Sequence, residues 1–334
     1  MDAVRGEARV YGAPTRVSVA PMMDWTDRHC RYFHRLLAPG VRLYTEMITA
    51  RAILAGDRDY LLGFDPSEHP VAVQLGGSDP AQLAEAARIA EGYGYDEVNL
   101  NVGCPSPRVS AAEFGACLMK DPALVASCLA AMRAAVGIPV TVKHRIGVDE
   151  LDSEDFLFHF VGQVAAAGID TFIVHARKAL LQGLSPKENR SIPPLVYERA
   201  WRLKRQFPAL TVVVNGGIGS VVEVQEQLRH VDGVMIGRRA YDDPWLLTDL
   251  QREVLAPDSG HDWPPPAREQ VAMAMADYLA SQPGLRSRHV TRHMLGLYHG
   301  QPGARAWRRW LSDPARDGEK PHAVIHGALA AMNA

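Results

Sequence analysis

Apolar residues along this chain fall into two alternating rhythms. Short runs rich in Val, Ile and Leu occupy residues 17–21, 41–46, 71–75, 139–143, 170–175, 210–215 and 233–237 and read as strands. A further run starts at Glu97, where Val98 and Leu100 alternate with Asn99 and Asn101 until Gly103 and Pro105 stop the strand. Helical patterns lie between the runs. In residues 80–90, for example, Leu83, Ala86, Ala87, Ile89 and Ala90 form a narrow apolar face. Eight strands in alternation with helices over about 240 residues is the order of an α/β protein built as a (β/α)8 TIM barrel. A doubly wound sheet is the alternative, but it rarely needs eight parallel strands of equal weight.

The rhythm changes after the eighth run. Residues 256–266 carry four Pro with Gly, Ser and Asp and read as a linker, and from Glu269 a helical period resumes with Val271, Met275, Tyr278 and Leu279 on one face. The expected organisation is a catalytic barrel over 1–255, a Pro-rich linker over 256–268 and an all-helical C-terminal domain over 269–334.

Composition agrees with a folded enzyme. The chain has 334 residues, 47% of them hydrophobic, enough for a barrel plus one small domain. No apolar run approaches about 18 residues and the N-terminus has no signal-peptide core, so a cytoplasmic protein is expected. Cys30, Cys104, Cys117 and Cys128 form no C-x-x-C pair, so neither a disulfide framework nor a zinc site is expected. His289 and His293 lie four apart without the Glu of a zincin, and no metal is expected there. Oligomeric state is not legible in the sequence; a monomer is the expectation.

Net charge is −2, which argues against a generally basic nucleic-acid binder, yet charge is segregated. The acidic run 149–155 reads as a solvated loop. From Gly284 to Trp310 there are six Arg, three His and no acid, interleaved with Tyr298, Trp307 and Trp310. Such a stretch is either a solvated helical cap or a surface for a phosphate backbone, and the aromatic interleaving favours the second.

In a barrel the chemistry sits at the C-terminal strand ends. Here those ends carry Pro21, Met22, Met23 and Asp24; Glu46; Gln74; Asn101 with Cys104; Lys143 with Arg145; His175 with Arg177; Asn215, Gly216 and Gly217; and Gly237 with Arg238. Each alone is an ordinary strand-end residue, and a lone Cys is more often packing than chemistry. Their convergence on one rim leaves charge unpaired unless a ligand is present. Asn215-Gly-Gly-Ile-Gly-Ser220 after the seventh run, a capping box from Ser220 to Glu223, and Gly237-Arg238 after the eighth suit a phosphate. With Lys143, His175 and Gln74 nearby, a flavin fits better than a sugar phosphate. FAD is disfavoured, because no Gly-x-Gly-x-x-Gly opens a βαβ unit.

The segments Ser18-Val-Ala-Pro-Met-Met-Asp-Trp-Thr-Asp27, Leu43-Tyr-Thr-Glu-Met47, Asn99-Leu-Asn-Val-Gly-Cys-Pro-Ser106, Phe114-Gly-Ala-Cys-Leu-Met119, Thr141-Val-Lys-His-Arg145, Val174-His-Ala-Arg177 and Val214-Asn-Gly-Gly217 resemble the tRNA-dihydrouridine synthases. His289-Val-Thr-Arg-His-Met-Leu-Gly-Leu297 and Gly303-Ala-Arg-Ala-Trp-Arg-Arg309 resemble the DusA subgroup. The resemblance implies an FMN-dependent oxidoreductase of tRNA processing, with a helical tRNA-binding domain, that reduces uridine 20 and 20a of the D-loop to 5,6-dihydrouridine with NADPH. It further implies that Pro21, Met22, Met23, Gln74, Lys143, His175, Asn215, Gly216, Gly217, Gly237 and Arg238 bind FMN noncovalently and that Cys104 is the proton donor. Asn101, Lys187, Arg190, Arg305 and Arg308 match positions that contact tRNA. One departure falls in the Cys104 loop: family members commonly carry Gln and Gly before Phe-Gly-Ala-Cys, whereas this chain reads Val109-Ser-Ala-Ala-Glu-Phe114.

The chemistry accounts for this set. Hydride from reduced FMN adds to C6 of uracil, charge develops toward the C4 oxygen, and C5 must receive a proton. An ordinary thiol, pKa about 8.5, is mostly protonated near neutrality and can supply it. The base must also leave its stack. Two rivals stand: an FMN barrel acting on a small pyrimidine or enone, and a colourless aldolase using Lys143 as a Schiff base. The preference between 20 and 20a, and between NADPH and NADH, is not legible.

Overall fold

The structure, a computed structural model, describes residues 16–259 and 263–333. Eight strands form one parallel sheet: β1 (Val17–Val19), β2 (Leu43–Thr49), β3 (Val71–Gly76), β4 (Glu97–Val102), β5 (Val140–Arg145), β6 (Thr171–His175), β7 (Thr211–Asn215) and β8 (Gly233–Ile236). Each strand neighbours the next, and β8 pairs with β1. The last seam, β1 to β2, is closed by the Val19 N–H donating to the Arg42 carbonyl (2.9 Å) and the Arg42 N–H to that of Val17 (3.1 Å). The sheet is therefore a (β/α)8 barrel, as the alternation of runs predicts.

Strand periodicity divides the side chains between two cores. Val71, Val73, Leu75, Val98, Leu100, Val102, Val142, Phe172, Val174, Val212, Val214, Val234 and Ile236 join the large outer cluster under the helices. The inward set differs. Half is apolar, with Ala20, Tyr44, Ala72, Ile173, Val213 and Met235 forming a separate small cluster. The other half is polar: Gln74, Glu97, Asn99, Asn101 and Thr141 are all buried.

The helices begin where short side chains cap them. Asp79 accepts from the Gln82 N–H (2.9 Å) and Pro80 takes the first turn, opening Pro80–Gly92, whose buried face is Leu83, Ala86, Ala87, Ile89 and Ala90, the face its period predicts. Ser220 likewise accepts from the Glu223 N–H (3.2 Å) at the start of Val221–Gln227, but the Glu223 carboxylate returns to the Gly219 N–H (2.8 Å) rather than to that of Ser220.

The C-terminal region is helical, with Arg268–Ala280, Arg288–Thr291, Ala304–Leu311 and Pro321–Met332. The stretch read as a linker differs at its start. A π-helical turn, Gln251–Leu255, runs into the helical turn Ala256–Ser259, so four of its residues extend the preceding helix; residues 260–262 lie outside the described residues. The helical region is seated on the barrel through the loop after β1. Asp27 caps Arg28–Leu37 by accepting from the His29 and Cys30 N–H groups, and it also pairs with Arg292 (2.6 Å) and His293 (3.0 Å). Tyr278 stacks on Tyr32 at 4.0 Å between centroids and bonds His29 at 2.7 Å.

Candidate active site

The barrel register brings the predicted residues to one mouth. Gln74 pairs with Asn99, Asn99 with Thr141, Asn101 with Lys143, Arg145 with His175, and His175 with Asn215. Because partners in a parallel ladder point to the same face, all of these side chains turn inward, Asn101, Lys143, Arg145, His175 and Asn215 at the C-terminal ends of β4 to β7 and Asn99 and Thr141 deeper in the barrel.

Cys104 follows β4 on a loop held on both sides. Its N–H donates to Asn101 Oδ1 at 3.0 Å, beside the Gly103 N–H at 3.1 Å, and its carbonyl accepts from the Ala116 N–H at 2.9 Å. Gly115, at φ +78°, sits so close beneath that a Cβ there would lie 2.6 Å from the Cys104 carbonyl oxygen. Arg145 Nε donates to the Gly103 carbonyl (2.9 Å), and its Nη1 reaches the carbonyls of Lys178 and Asn189 (3.0 Å each), lacing the β4 loop to the segment after β6. The thiol itself is half-buried. Cys30 and Cys128 are buried, and burial pushes the Cys128 thiol up to about 11. Cys117 is half-buried but bonded to the Phe114 carbonyl at 3.0 Å. Within the stretch 109–114, Glu113 takes φ +57°, a left-handed conformation in which a non-Gly residue is strained by roughly 1–2 kcal/mol.

Across the mouth lies a cluster of cations. Lys143 Nζ donates to Asn215 Oδ1 at 3.1 Å, and the Asn215 amide donates to the Met235 carbonyl at 2.8 Å. Burial, then Arg145, push the Lys143 ammonium down to about 7, with Cys104 acting in the other direction. His175 is held well below its usual range by burial and by Arg145, Lys143, Arg177 and Arg190. Burial lowers Arg145 to about 10. Lys143, Arg145 and Arg177 make no ion pair among the described residues. The Arg177 Nε–H is buried and has no partner among the described residues. A cation cluster without a counter-charge, with an orphaned buried donor, fits an anionic ligand.

Two of the three glycines of the predicted cradle are required by the chain's own packing. Gly216 and Gly217 take φ +127° and +71°, and a Cβ at either would clash with Leu195 at 2.8 and 2.6 Å. A Cβ at Gly237 meets nothing within 4 Å. Arg238 stands next to it, exposed, and donates to the Arg190 carbonyl at 3.2 Å, which draws the segment after β6 toward β8. Pro21 and Met22 are half-buried after β1, with Met22 against the inner apolar cluster, and Met23 is 57% exposed.

The residues matched to tRNA contacts divide. Asn101 is buried under the Cys104 loop, Lys187 and Arg190 are exposed after β6, and Arg305 and Arg308 are exposed on Ala304–Leu311 with Trp307 and Leu311 buried behind them. Arg305 and Arg308 line a surface hollow of about 440 Å³ with His299, Gln301 and Gly303, apart from the barrel mouth. The basic stretch is also less free than it reads. Arg292 and His293 pair with Asp27, and Arg288 with Asp317, whereas Arg286, Arg305, Arg308 and Arg309 make no ion pair among the described residues. The acidic run is likewise engaged rather than merely solvated: Asp149 pairs with Lys120 (2.8 Å), Asp152 with Lys178 (3.1 Å) and Glu154 with Arg202.

Sequence reasoning passed over Glu97, Asn99 and Thr141, and left Arg145 and Arg177 as rim residues without a role. The polar alternation Glu97, Asn99, Asn101 beside Thr141, Lys143, Arg145 is the signal that marks them.

The profile of the Dihydrouridine synthase (Dus) family matches residues 18–332. A tRNA-dihydrouridine(20/20a) synthase of Xanthomonas axonopodis pv. citri is 57% identical over 307 residues, 91% of this chain and 90% of that protein. Proteins of the same name from Vibrio cholerae and Salmonella typhi are 54% and 56% identical, each over 94% of this chain and over 96% and 94% of their own lengths.

Proposed function

The chain belongs to the dihydrouridine synthase family, and on that premise we propose that it reduces uridine to 5,6-dihydrouridine at positions 20 and 20a of the tRNA D-loop, with NADPH as electron donor and noncovalent FMN as cofactor. The observation that carries this reading is the pairing of a half-buried thiol, Cys104, with Lys143, Arg145 and Arg177, cations of the same barrel mouth that make no ion pair among the described residues. Lys143, His175, Gln74, Pro21, Met22 and Met23 would hold the flavin ring. Asn215, Gly216, Gly217, Gly237 and Arg238 would hold its phosphate, with the unpartnered Arg177 Nε–H as an added donor. When bound, FMN supplies the hydride that saturates C6 of the base.

The chain's own residues do the rest. Cys104 gives its proton to C5, and the charge left on sulfur faces Lys143, Arg145 and Arg190, whose own ionisation already responds to it. These cations would stabilise the thiolate product of the transfer, and Arg145 would do so without reorganisation, because three backbone carbonyls fix it. The target base must be turned out of its stack to enter the mouth. Asn101 meets it there, while Lys187, Arg190, Arg305 and Arg308 grip the phosphates around it. In this reading residues 1–255 are the catalytic domain, 269–334 the tRNA-binding domain, and 256–268 the connection between them, its first four residues a helical turn. The protein acts as a cytoplasmic monomer; no described helix is long and apolar enough to cross a membrane.

The test is to incubate the purified protein with NADPH and an unmodified tRNA transcript, extract the bound cofactor, and map dihydrouridine by mass spectrometry. The expected outcome is a yellow protein releasing FMN and dihydrouridine at 20 and 20a. A colourless protein that takes up no FMN, or equal reduction of free uridine, would overturn the proposal.

A further inference from the structure

The polar half of the barrel interior is one directed chain of hydrogen bonds. It begins at Glu97, whose carboxylate pairs with Arg42 through one oxygen and accepts from the Tyr44 and Thr141 hydroxyls (2.5 and 2.6 Å) through the other. A carboxylate in an ion pair only accepts, so the Thr141 hydroxyl must donate to it and has only lone pairs left. The Asn99 amide therefore turns its NH2 to Thr141 Oγ1 (2.8 Å) and its oxygen to Gln74. The Gln74 NH2 donates to that oxygen (2.8 Å), which leaves the Gln74 oxygen to accept from the Asn101 NH2 (2.7 Å). Asn101 is thus left with its oxygen toward the N–H groups of Gly103 and Cys104. Every amide in the series has two possible orientations, and the carboxylate at one end and the Gly103 and Cys104 N–H groups at the other select the same one.

We propose that Glu97 and Thr141 are positioning residues for the proton donor: acting through Asn99, Gln74 and Asn101, they set the orientation of the loop that carries the Cys104 thiol. If the chain were inverted, the Asn101 NH2 would meet two N–H donors and the loop would lose both bonds that hold it from below. The same polarity fixes which end of the Gln74 amide meets Asn101 and which meets Asn99, so the ladder orients a proposed ring contact as well as the acid. Burial makes the selection sharp, since Glu97, Thr141, Asn99, Gln74 and Asn101 are each at most 9% exposed and water is not at hand to satisfy a flipped amide. The inference rests on the reading of Cys104 as proton donor for its catalytic consequence, but the ladder can be tested without it.

The experiment compares the purified holoprotein with Thr141→Val, which removes the hydroxyl, and Thr141→Ser, which keeps it. Backbone amide exchange at Gly103 and Cys104, alkylation of Cys104 by iodoacetamide, FMN content, and kcat and KM with tRNA are measured on each. Thr141→Val is expected to speed exchange at both amides by about tenfold, as for one lost backbone hydrogen bond. It is also expected to change the Cys104 alkylation rate and to lower kcat by roughly 10- to 100-fold, as misplacement of a reacting group does, with any loss of FMN through Gln74 or rise in KM through Asn101 smaller than the loss in kcat. Thr141→Ser restores all of these. Unchanged exchange and kcat in folded Thr141→Val overturn the inference. Glu97→Gln is the second variant; if it folds, it should act like Thr141→Val, and wild-type exchange in it would count against the ladder. Dihydrouridine formation by Cys104→Ala at the wild-type rate would instead remove the acid assignment and leave the exchange result to stand alone.

Discussion

The Cys104 thiol differs from its three counterparts in what surrounds it rather than in what it is. Cys30 and Cys128 are sealed in the core and Cys117 is bonded to a carbonyl, while Cys104 stands half-buried among cations. Cys104→Ala is expected to retain FMN and tRNA binding and NADPH-driven flavin reduction, yet to lose roughly 10²- to 10⁴-fold in the step that saturates the base, as for loss of a general acid. Cys117→Ala should lose far less; rapid-mixing kinetics of the two half-reactions separates the cases, and a larger defect in Cys117→Ala would move the acid to that thiol. Lys143 makes a prediction of opposite kind. Its folded pKa of about 7 lies below its ordinary 10.5, so between those values the unfolded chain holds more protons and the ligand-free protein gains stability as pH rises, with no such gain below 7. An anionic ligand needs the ammonium, so binding above pH 7 takes up a proton and FMN affinity should fall by up to about tenfold per pH unit. Titrating FMN into apoprotein from about pH 7 to 9 should give that slope in the wild type and a flat line in Lys143→Met; a flat wild-type line would mean that Lys143 does not meet the cofactor.

At the scale of elements, the strands were legible because parallel barrel strands are buried on both faces and stand out as short Val- and Ile-rich runs. All eight lie within a few residues of their predicted places, and the rim residues follow from their ends. The directed ladder was not legible, because it depends on register: that Asn99 faces Gln74 on one side and Thr141 on the other is set by strand pairing, which single-strand periodicity does not report. The free charge of the basic stretch was hidden for a similar reason. Arg288, Arg292 and His293 find acids far away in sequence, whereas Arg286 and the arginines of the helix Ala304–Leu311 make no ion pair among the described residues. Arg305 and Arg308 lie three apart on its exposed face, as the helical spacing implies. Reversing both to Glu should abolish tRNA binding while FMN content and NADPH oxidation by the flavoprotein stay intact. Milder neutralisation should flatten the salt dependence of affinity by about 0.7 to 0.9 in log-log slope per lost contact. Titrations at several salt concentrations decide it, and equal affinity and slope in wild type and variants would make this helix a solvated cap.

The whole molecule joins two surfaces that neither part offers alone. The barrel mouth supplies the thiol and the cation cluster, and the helical region supplies exposed arginines. Asp27 holds the two together, since it caps the first barrel helix and pairs with Arg292 and His293 in the same contact. Next to it, Trp25 stacks on Tyr241 at 4.5 Å, which ties the loop after β1 to the helix that follows β8. A small-molecule reductase has no use for the second surface, and a passive tRNA binder has none for the first. Whether both serve one reaction is decided most directly in cells, by mass spectrometry of tRNA from a strain lacking this protein, complemented with wild type or with Cys104→Ala. The account predicts that dihydrouridine at 20 and 20a disappears in the deletion strain, returns with wild type and stays absent or nearly so with Cys104→Ala. Unaltered dihydrouridine at both positions in the deletion strain would contradict it.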